Sequence, residues 1–211
     1  MPLLARSVFG TQVAGERLGA RVAAGFRGMV IVTILALLSM PAAGSSAVPK
    51  SAVAQEYDLK AAFLFNFARF VEWPTDAFAA ATTPIIIGVL GEDPFGPSLD
   101  VLVGGETIRN RPLLIRRYRS VEQIEACHIL FISSSEASRL DHIAKALGRR
   151  SILTVGETKD FAARIGIVGF ELAQRRLRLR INLAAATDAR LTISSQLLRQ
   201  AQIVRSSRGH D

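Results

Sequence analysis

Apolar positions change period along this chain, and each period predicts an element. Over residues 57–73 they recur at helical spacing. Stepping 100° per residue puts Leu59, Phe63, Leu64, Phe67, Phe70 and Val71 on one broad face, and Asp58, Asn66, Arg69 and Glu72 on the opposite one. Phe65 falls in that polar sector, so its ring is either packed under another part of the domain or offered to a partner. Trp73-Pro74 is expected to stop the helix, because the residue before a proline is pushed out of the α region. Residues 84–90 form a continuous apolar run bounded by turn residues, the pattern of a strand covered on both faces. Asp93 and Pro94 then read as the N-cap and first residue of a helix to about Val103, which Gly104-Gly105 ends. Further strands are expected over 113–116, 127–132 and 151–155. A short helix over 121–126 and a longer one over 134–147, closed by Gly148, lie between them.

After Phe161 the period settles at two. Segments 165–172 and 176–183 read as strands of a hairpin joined by Ala173-Gln174-Arg175. Ser194-Ser195 is expected to cap a last helix over 196–204, with a polar tail from about residue 205. Strands separated by helices imply βαβ units. The expected architecture is therefore α/β: a single three-layer domain, its mostly parallel sheet edged by a C-terminal antiparallel hairpin and flanked by helices. A hydrophobic fraction of 49% supports a packed core.

The start of the chain follows a different logic. Residues 28–40 carry no charge, arginines precede them, and Pro41 and small residues follow. This is the order of a secretory signal. The run is shorter than the roughly 20 apolar residues a spanning helix needs. Ala52-Val53-Ala54 is the favoured cleavage site, with Ala47 as the alternative, so residues 1–54 are expected to be signal and 55–211 the domain. No cysteine near the cleavage region would anchor a lipoprotein. The exported product is expected in a bacterial periplasm, away from cytosolic ATP, NAD and genomic DNA.

The net charge of +8 suggests a nucleic-acid binder only until it is located. Residues 1–54 hold five basic side chains and one acidic one, which leaves 21 basic and 17 acidic groups in the domain. Cys127 is the single cysteine, which excludes an intramolecular disulfide and a Cys-based zinc site. His128, His142 and His210 lack partners at metal-ligand spacing, so no metal and no cofactor are expected. Ser133, Ser134 and Ser135 lack the flanking glycines of a nucleophile elbow and read as a helix cap. Gly91 to Gly96 sits where an α/β fold places ligand loops, yet Glu92 and Asp93 would repel a phosphate. With Ser133 to Ser135 these two carboxylates outline the alternative function, a periplasmic small-molecule binding module. No catalytic residues emerge. Arg176, Arg178 and Arg180 alternate with Leu177, Leu179 and Ile181, so one strand face is basic. That face reads as a guard against unwanted strand pairing or as a patch for an acidic partner. It lacks the stacking aromatics of a nucleic-acid surface.

The stretch 60–74, KAAFLFNFARFVEWP, resembles the opening signature of the YfiR family of periplasmic proteins. Gly91 to Gly96, Cys127 to Ser133, and Ile181-Asn182-Leu183 followed by Ile193-Ser194-Ser195-Gln196-Leu197-Leu198 fit the same family in the same order. The resemblance covers about residues 57–204. It implies a repressor that binds the periplasmic domain of an inner-membrane diguanylate cyclase and holds its cytoplasmic catalytic domain inactive, lowering cyclic di-GMP and biofilm formation. It also implies an OmpA-like outer-membrane lipoprotein that sequesters the repressor, and a homodimer. The best-studied members of the family carry paired cysteines in disulfides, which this sequence lacks, so redox control within the monomer is not implied. For the interface, the polar sector of the first helix (Phe65, Arg69, Glu72) and the arginine strand (Arg176, Arg178, Arg180) are the expected contacts.

Overall fold

The computed structural model describes residues 51–206, with Arg175 excepted. The signal-like run 28–40, the alternative cleavage site at Ala47, and His210 in the tail lie outside the described residues. Helix α1 (Ala52–Phe70) starts earlier than its period suggests, because Ser51 caps it by accepting a hydrogen bond from the Ala54 N–H. The favoured cleavage site at Ala52 to Ala54 thus forms the first turn of α1. The chain then turns extended as β1 (Val71–Glu72) before Trp73-Pro74.

Strand β2 (Ile85–Leu90) is buried at every position, as its unbroken apolar run requires. Next come α2 (Pro97–Val103), β3 (Thr107–Ile108) and β4 (Arg111–Tyr118). Strand β5 (Ile129–Ile132), α3 (Leu140–Leu147), β6 (Leu153–Gly156) and α4 (Phe161–Arg164) follow. The chain closes with β7 (Val168–Ala173), β8 (Arg176–Asn182), α5 (Leu183–Asp188), β9 (Thr192–Ile193), α6 (Ser195–Leu198) and β10 (Ala201–Val204). One sheet has the order β10-β8-β7-β6-β5-β2-β4-β3, and β1 pairs with β9 in a separate antiparallel ribbon. Strands β7, β6, β5, β2 and β4 run parallel; β8 pairs antiparallel to β7 and parallel to β10, and β3 pairs antiparallel to β4.

Two cores give the three layers. On one face of the sheet Leu64, Phe67 and Val71 of the first segment, with Leu99 of α2, meet Ile87, Phe131, Val155, Phe170 and Ile181. On the other, Ile143 and Leu147 of α3 and Phe161 of α4 cover Leu90, Leu130 and Ile132. The expected α/β fold, a mostly parallel sheet with flanking helices, is the one observed, with the small β1–β9 ribbon added to it.

The differences have local causes. Asp93 does not cap α2: its Oδ1 accepts from the Phe95 N–H, while Gly96 takes the cap position and Pro97 the first helical one. The expected helix over 196–204 is one turn, α6, capped by Ser194, and then strand β10. Ile203 and Val204 favour a strand, and the outer side of β8 offers a ladder: Ala201 to Val204 pair in parallel with Leu179 to Asn182. The hairpin is therefore not the edge of the sheet. The segment 121–126 forms only a 3₁₀ turn, Val121–Gln123. Strand β3 had no apolar run to mark it; its signal was the turn, where Arg109 and Asn110 both have positive φ (52° and 62°), the geometry of a type I′ hairpin.

Candidate functional site

The partner-facing side of α1 was expected to contain Phe65, Arg69 and Glu72, and the structure brings these three together with the β3–β4 hairpin. Phe65 is half-buried against the first core, and Arg69 and Glu72 are exposed. Arg109 reaches across from the hairpin turn: its guanidinium donates to the Arg69 carbonyl at 3.3 Å and meets Glu72 Oε1 at 3.5 Å. Between helix and hairpin lies an open groove lined by Phe65, Arg69, Glu106, Thr107, Ile108 and Arg109. It combines one half-buried aromatic ring with exposed charges of both signs.

The arginine strand is elsewhere. Leu179 and Ile181 share the core with α1, so Arg176, Arg178 and Arg180 point to the opposite face of the sheet. Arg180 is engaged with Glu171 at 3.3 Å and Asp160 at 3.6 Å, whereas Arg176 and Arg178 are exposed. A partner in the α1 groove therefore does not meet these arginines without passing round the sheet.

At the carboxyl end of the parallel strands, the residues of the small-molecule alternative are engaged in the loops' own hydrogen bonds and in an ion pair to Arg117. Gly91 has φ 90°, open to glycine, and a Cβ there would overlap Ser135 Oγ. That hydroxyl accepts from the Glu92 N–H at 3.0 Å, and Ser133 Oγ accepts from the Ser135 N–H. The Ser134 N–H donates to Glu157 Oε1 at 3.4 Å. Arg117 bridges Asp93 at 2.6 Å and Asp100. Its hydrogen bonds to Asp100 hold that carboxyl below its usual range. The cavities at the α1 groove, at residues 157–162 beside β7, and beneath α3 are all lined by other residues.

Beside this loop lies a group that sequence reasoning missed. Lys60 is 3% exposed on the buried side of α1. Its ammonium sits 2.6 Å from both Glu56 Oε1 and Glu157 Oε2, and 4.4 Å from the centre of the Tyr57 ring. Burial alone would push the Lys60 pKa down, but the hydrogen bonds its ammonium donates to Glu157 and Glu56 outweigh it and raise it.

His128 organises the amino end of the sheet. Its Nδ1 accepts from the Ile86 N–H at 3.0 Å, so the ring is neutral with its proton on Nε2, which donates to the Ala77 carbonyl at 3.3 Å. Trp73 Nε1 donates to the His128 carbonyl at 3.1 Å. Phe78 stacks on the imidazole at 4.5 Å, and the Arg111 guanidinium lies 3.7 Å from the Phe78 ring centre. The Trp of the opening signature thus ties the segment after α1 to β5. Burial, and secondarily Arg111, lowers the His128 pKa. The folded protein then binds fewer protons here than the unfolded chain, so stability is intact above about pH 6.5 and falls below it, by up to about 1.4 kcal/mol per pH unit. Urea denaturation at pH 7.5 and pH 5.5 is expected to show this loss, and His128→Gln to reduce it. An undiminished pH response in the variant would assign the effect to other groups.

Cys127 is buried, its thiol donating to the Ile129 carbonyl, and burial pushes its pKa up to about 12, which makes it an inert core residue. His142 pairs with Glu122 on the surface. Among the described residues no three His, Cys, Asp or Glu side chains are grouped to hold a metal ion, and no helix is long and apolar enough to cross a membrane.

One protein-family model, described as YfiR/HmsC-like, matches residues 57–202. The match runs from the first turns of α1 into β10 and so takes in nearly all of the described domain. No match was found among curated proteins.

Proposed function

Because this chain belongs to the YfiR/HmsC-like family, regulatory domains associated with diguanylate cyclase signalling and not a known catalytic family, we propose that it is a periplasmic repressor. In this reading it binds the periplasmic sensor region of an inner-membrane diguanylate cyclase and holds the cytoplasmic catalytic domain inactive, lowering cyclic di-GMP and biofilm formation. An OmpA-like outer-membrane lipoprotein is the proposed sequestering partner, and a homodimer the proposed assembly. The single observation that carries the reading is the family match across residues 57–202.

Repression of this kind is a problem of differential binding. A repressor that prefers the inactive cyclase by about 3 kcal/mol shifts its equilibrium roughly 150-fold, and no bond need be made or broken. The α1 groove is the surface we assign to this contact, since Phe65 offers an anchor flanked by the exposed Arg69, Glu72 and Arg109. Deleting the gene is expected to raise cellular cyclic di-GMP, and complementation by the exported protein to reverse the rise. A signal-less version should not reverse it. Folded Phe65→Ala and Arg69→Glu variants are expected to bind the cyclase sensor region at least roughly 30-fold more weakly, the scale of an interface hot spot. Unchanged cyclic di-GMP in the deletion strain, with the cyclase expressed, would refute the repressor. Full repression by both groove variants together with loss in Arg178→Glu would move the contact to the arginine strand.

A further inference from the structure

Between β1 and β2 the chain crosses the amino end of the sheet as a strap, residues 73–83, whose helical element is the 3₁₀ turn Thr75–Ala77. None of its residues is buried, although Trp73 and Phe78 pack partly against the first core. A segment with so little buried surface opens at a lower cost than the domain unfolds. Its fastenings come from three elements. Arg111 of β4 donates to the Ala80 and Thr83 carbonyls at 2.7 and 2.9 Å. Arg190, from the turn between α5 and β9, pairs with Asp76 at 2.7 Å, but both side chains are more than half exposed and the pair contributes little. The middle of the strap rests on the His128 imidazole, through the Ala77 carbonyl and the stacked Phe78 ring.

The backbone of His128 is committed to the sheet. Its N–H donates to the Ile86 carbonyl at 2.9 Å and its carbonyl accepts from the Leu153 N–H at 2.8 Å, so only the ring is free to move. That ring fits in one protonation state. A proton on Nδ1 would face the Ile86 N–H, donor against donor, at the head of the buried strand β2. The charged groups around the ring do not offset this. Arg111, 3.7 Å from the centre of Phe78, opposes a second positive charge, and the Asp76 carboxylate is taken by Arg190. Strand β2 brings no charged side chain, and among the described residues no carboxylate hydrogen-bonds the imidazole.

We propose that His128 is a proton-operated latch: its neutral ring holds the strap closed across the amino end of the sheet, and protonation swings the ring out and frees residues 75–79 while the sheet stays folded. The device does not rest on the repressor reading.

Hydrogen exchange of the full chain at pH 7.5 and pH 5.0 tests it, read by mass spectrometry as protection factors so that the intrinsic pH dependence of exchange divides out. A ring that is neutral when held and titrates near pH 6.5 when released favours opening by up to roughly thirtyfold over this interval. Peptides covering 75–79 are expected to lose at least roughly tenfold in protection, and those of β5 and β6 less than about threefold. His128→Asn keeps an acceptor for the Ile86 N–H but does not titrate, and is expected to abolish the difference. Trp73, the single tryptophan, lies edge-on 6.1 Å from the imidazole, so its emission in the wild-type chain is expected to report the same transition without any substitution. Equal loss of protection in the strap and in β5 would mean global destabilisation and overturn the latch. Unchanged strap protection, Trp73 emission flat between pH 7.5 and 5.0, or a full pH response in folded His128→Asn would overturn it equally.

Discussion

Replacing Lys60 by alanine is expected to destabilise the domain by about 3–5 kcal/mol, the cost of leaving a buried charge without its partner. The side chains of Lys60 and Glu157 are only 4% and 9% exposed, and 2.6 Å separates their charged atoms. With the ammonium gone, Glu157 keeps a Tyr57 hydroxyl at 3.3 Å and the Ser134 N–H at 3.4 Å, both too long to replace a charged partner. The pair itself need not stabilise the fold over an apolar alternative, since desolvation consumes most of its Coulomb energy. The double variant Lys60→Met/Glu157→Leu is therefore expected to recover most of the loss. Urea denaturation of the four proteins measures both effects. A loss below about 1 kcal/mol in Lys60→Ala would mean that water reaches Glu157, and that the network is a surface feature.

Phe161→Ala is expected to cost a similar amount, about 3–5 kcal/mol, for a different reason. The ring is 2% exposed and sits against two glycines: a Cβ on Gly156 would lie 2.5 Å from it, and one on Gly166 would overlap it. No rotamer lets a fully packed ring retreat, so Gly166→Ala alone is expected to cost about 1–3 kcal/mol or more by overpacking. In the Phe161→Ala background the same substitution has room. The two changes should then fall short of additivity by a kcal/mol or more, read as a coupling energy from the four melting curves. Additive losses would show that Gly166 is required for its backbone and not for its closeness to the ring.

Both predictions concern side chains whose importance a linear reading does not reveal. Lys60 lies within the first helix, and its main partner is 97 residues away. The helical wheel put Leu59 on the buried face, yet Leu59 is 46% exposed and the core side is centred on Lys60, Leu64, Phe67 and Val71. Phe63 and Phe70 are only partly buried. A stripe this rich in phenylalanine leaves the rotation of the helix undecided by periodicity, and its packing on Phe131 and Phe170 decides it. Phe65 was legible as an anomaly, a ring in a polar sector. That it lies beside Arg109 was not, because the hairpin carrying Arg109 has no apolar run. The Trp73–His128 bond is also long-range, joining residues 55 apart.

By itself the sequence determined whatever depends on neighbours along the chain. The helical stretch ending before Trp73-Pro74, the buried strands β2 and β5, the Gly148 stop, the alternating faces of β8 and the α/β class all follow from periods and caps that a few residues establish. Only the tertiary structure decided which elements pair and which polar groups become buried. It placed β10 outside β8, joined β1 to β9, and put the arginines of β8 across the sheet from Phe65. A hydrogen-bond ladder or a buried ion pair is made between segments that approach only after the chain collapses, so its free energy is absent from any local stretch of sequence.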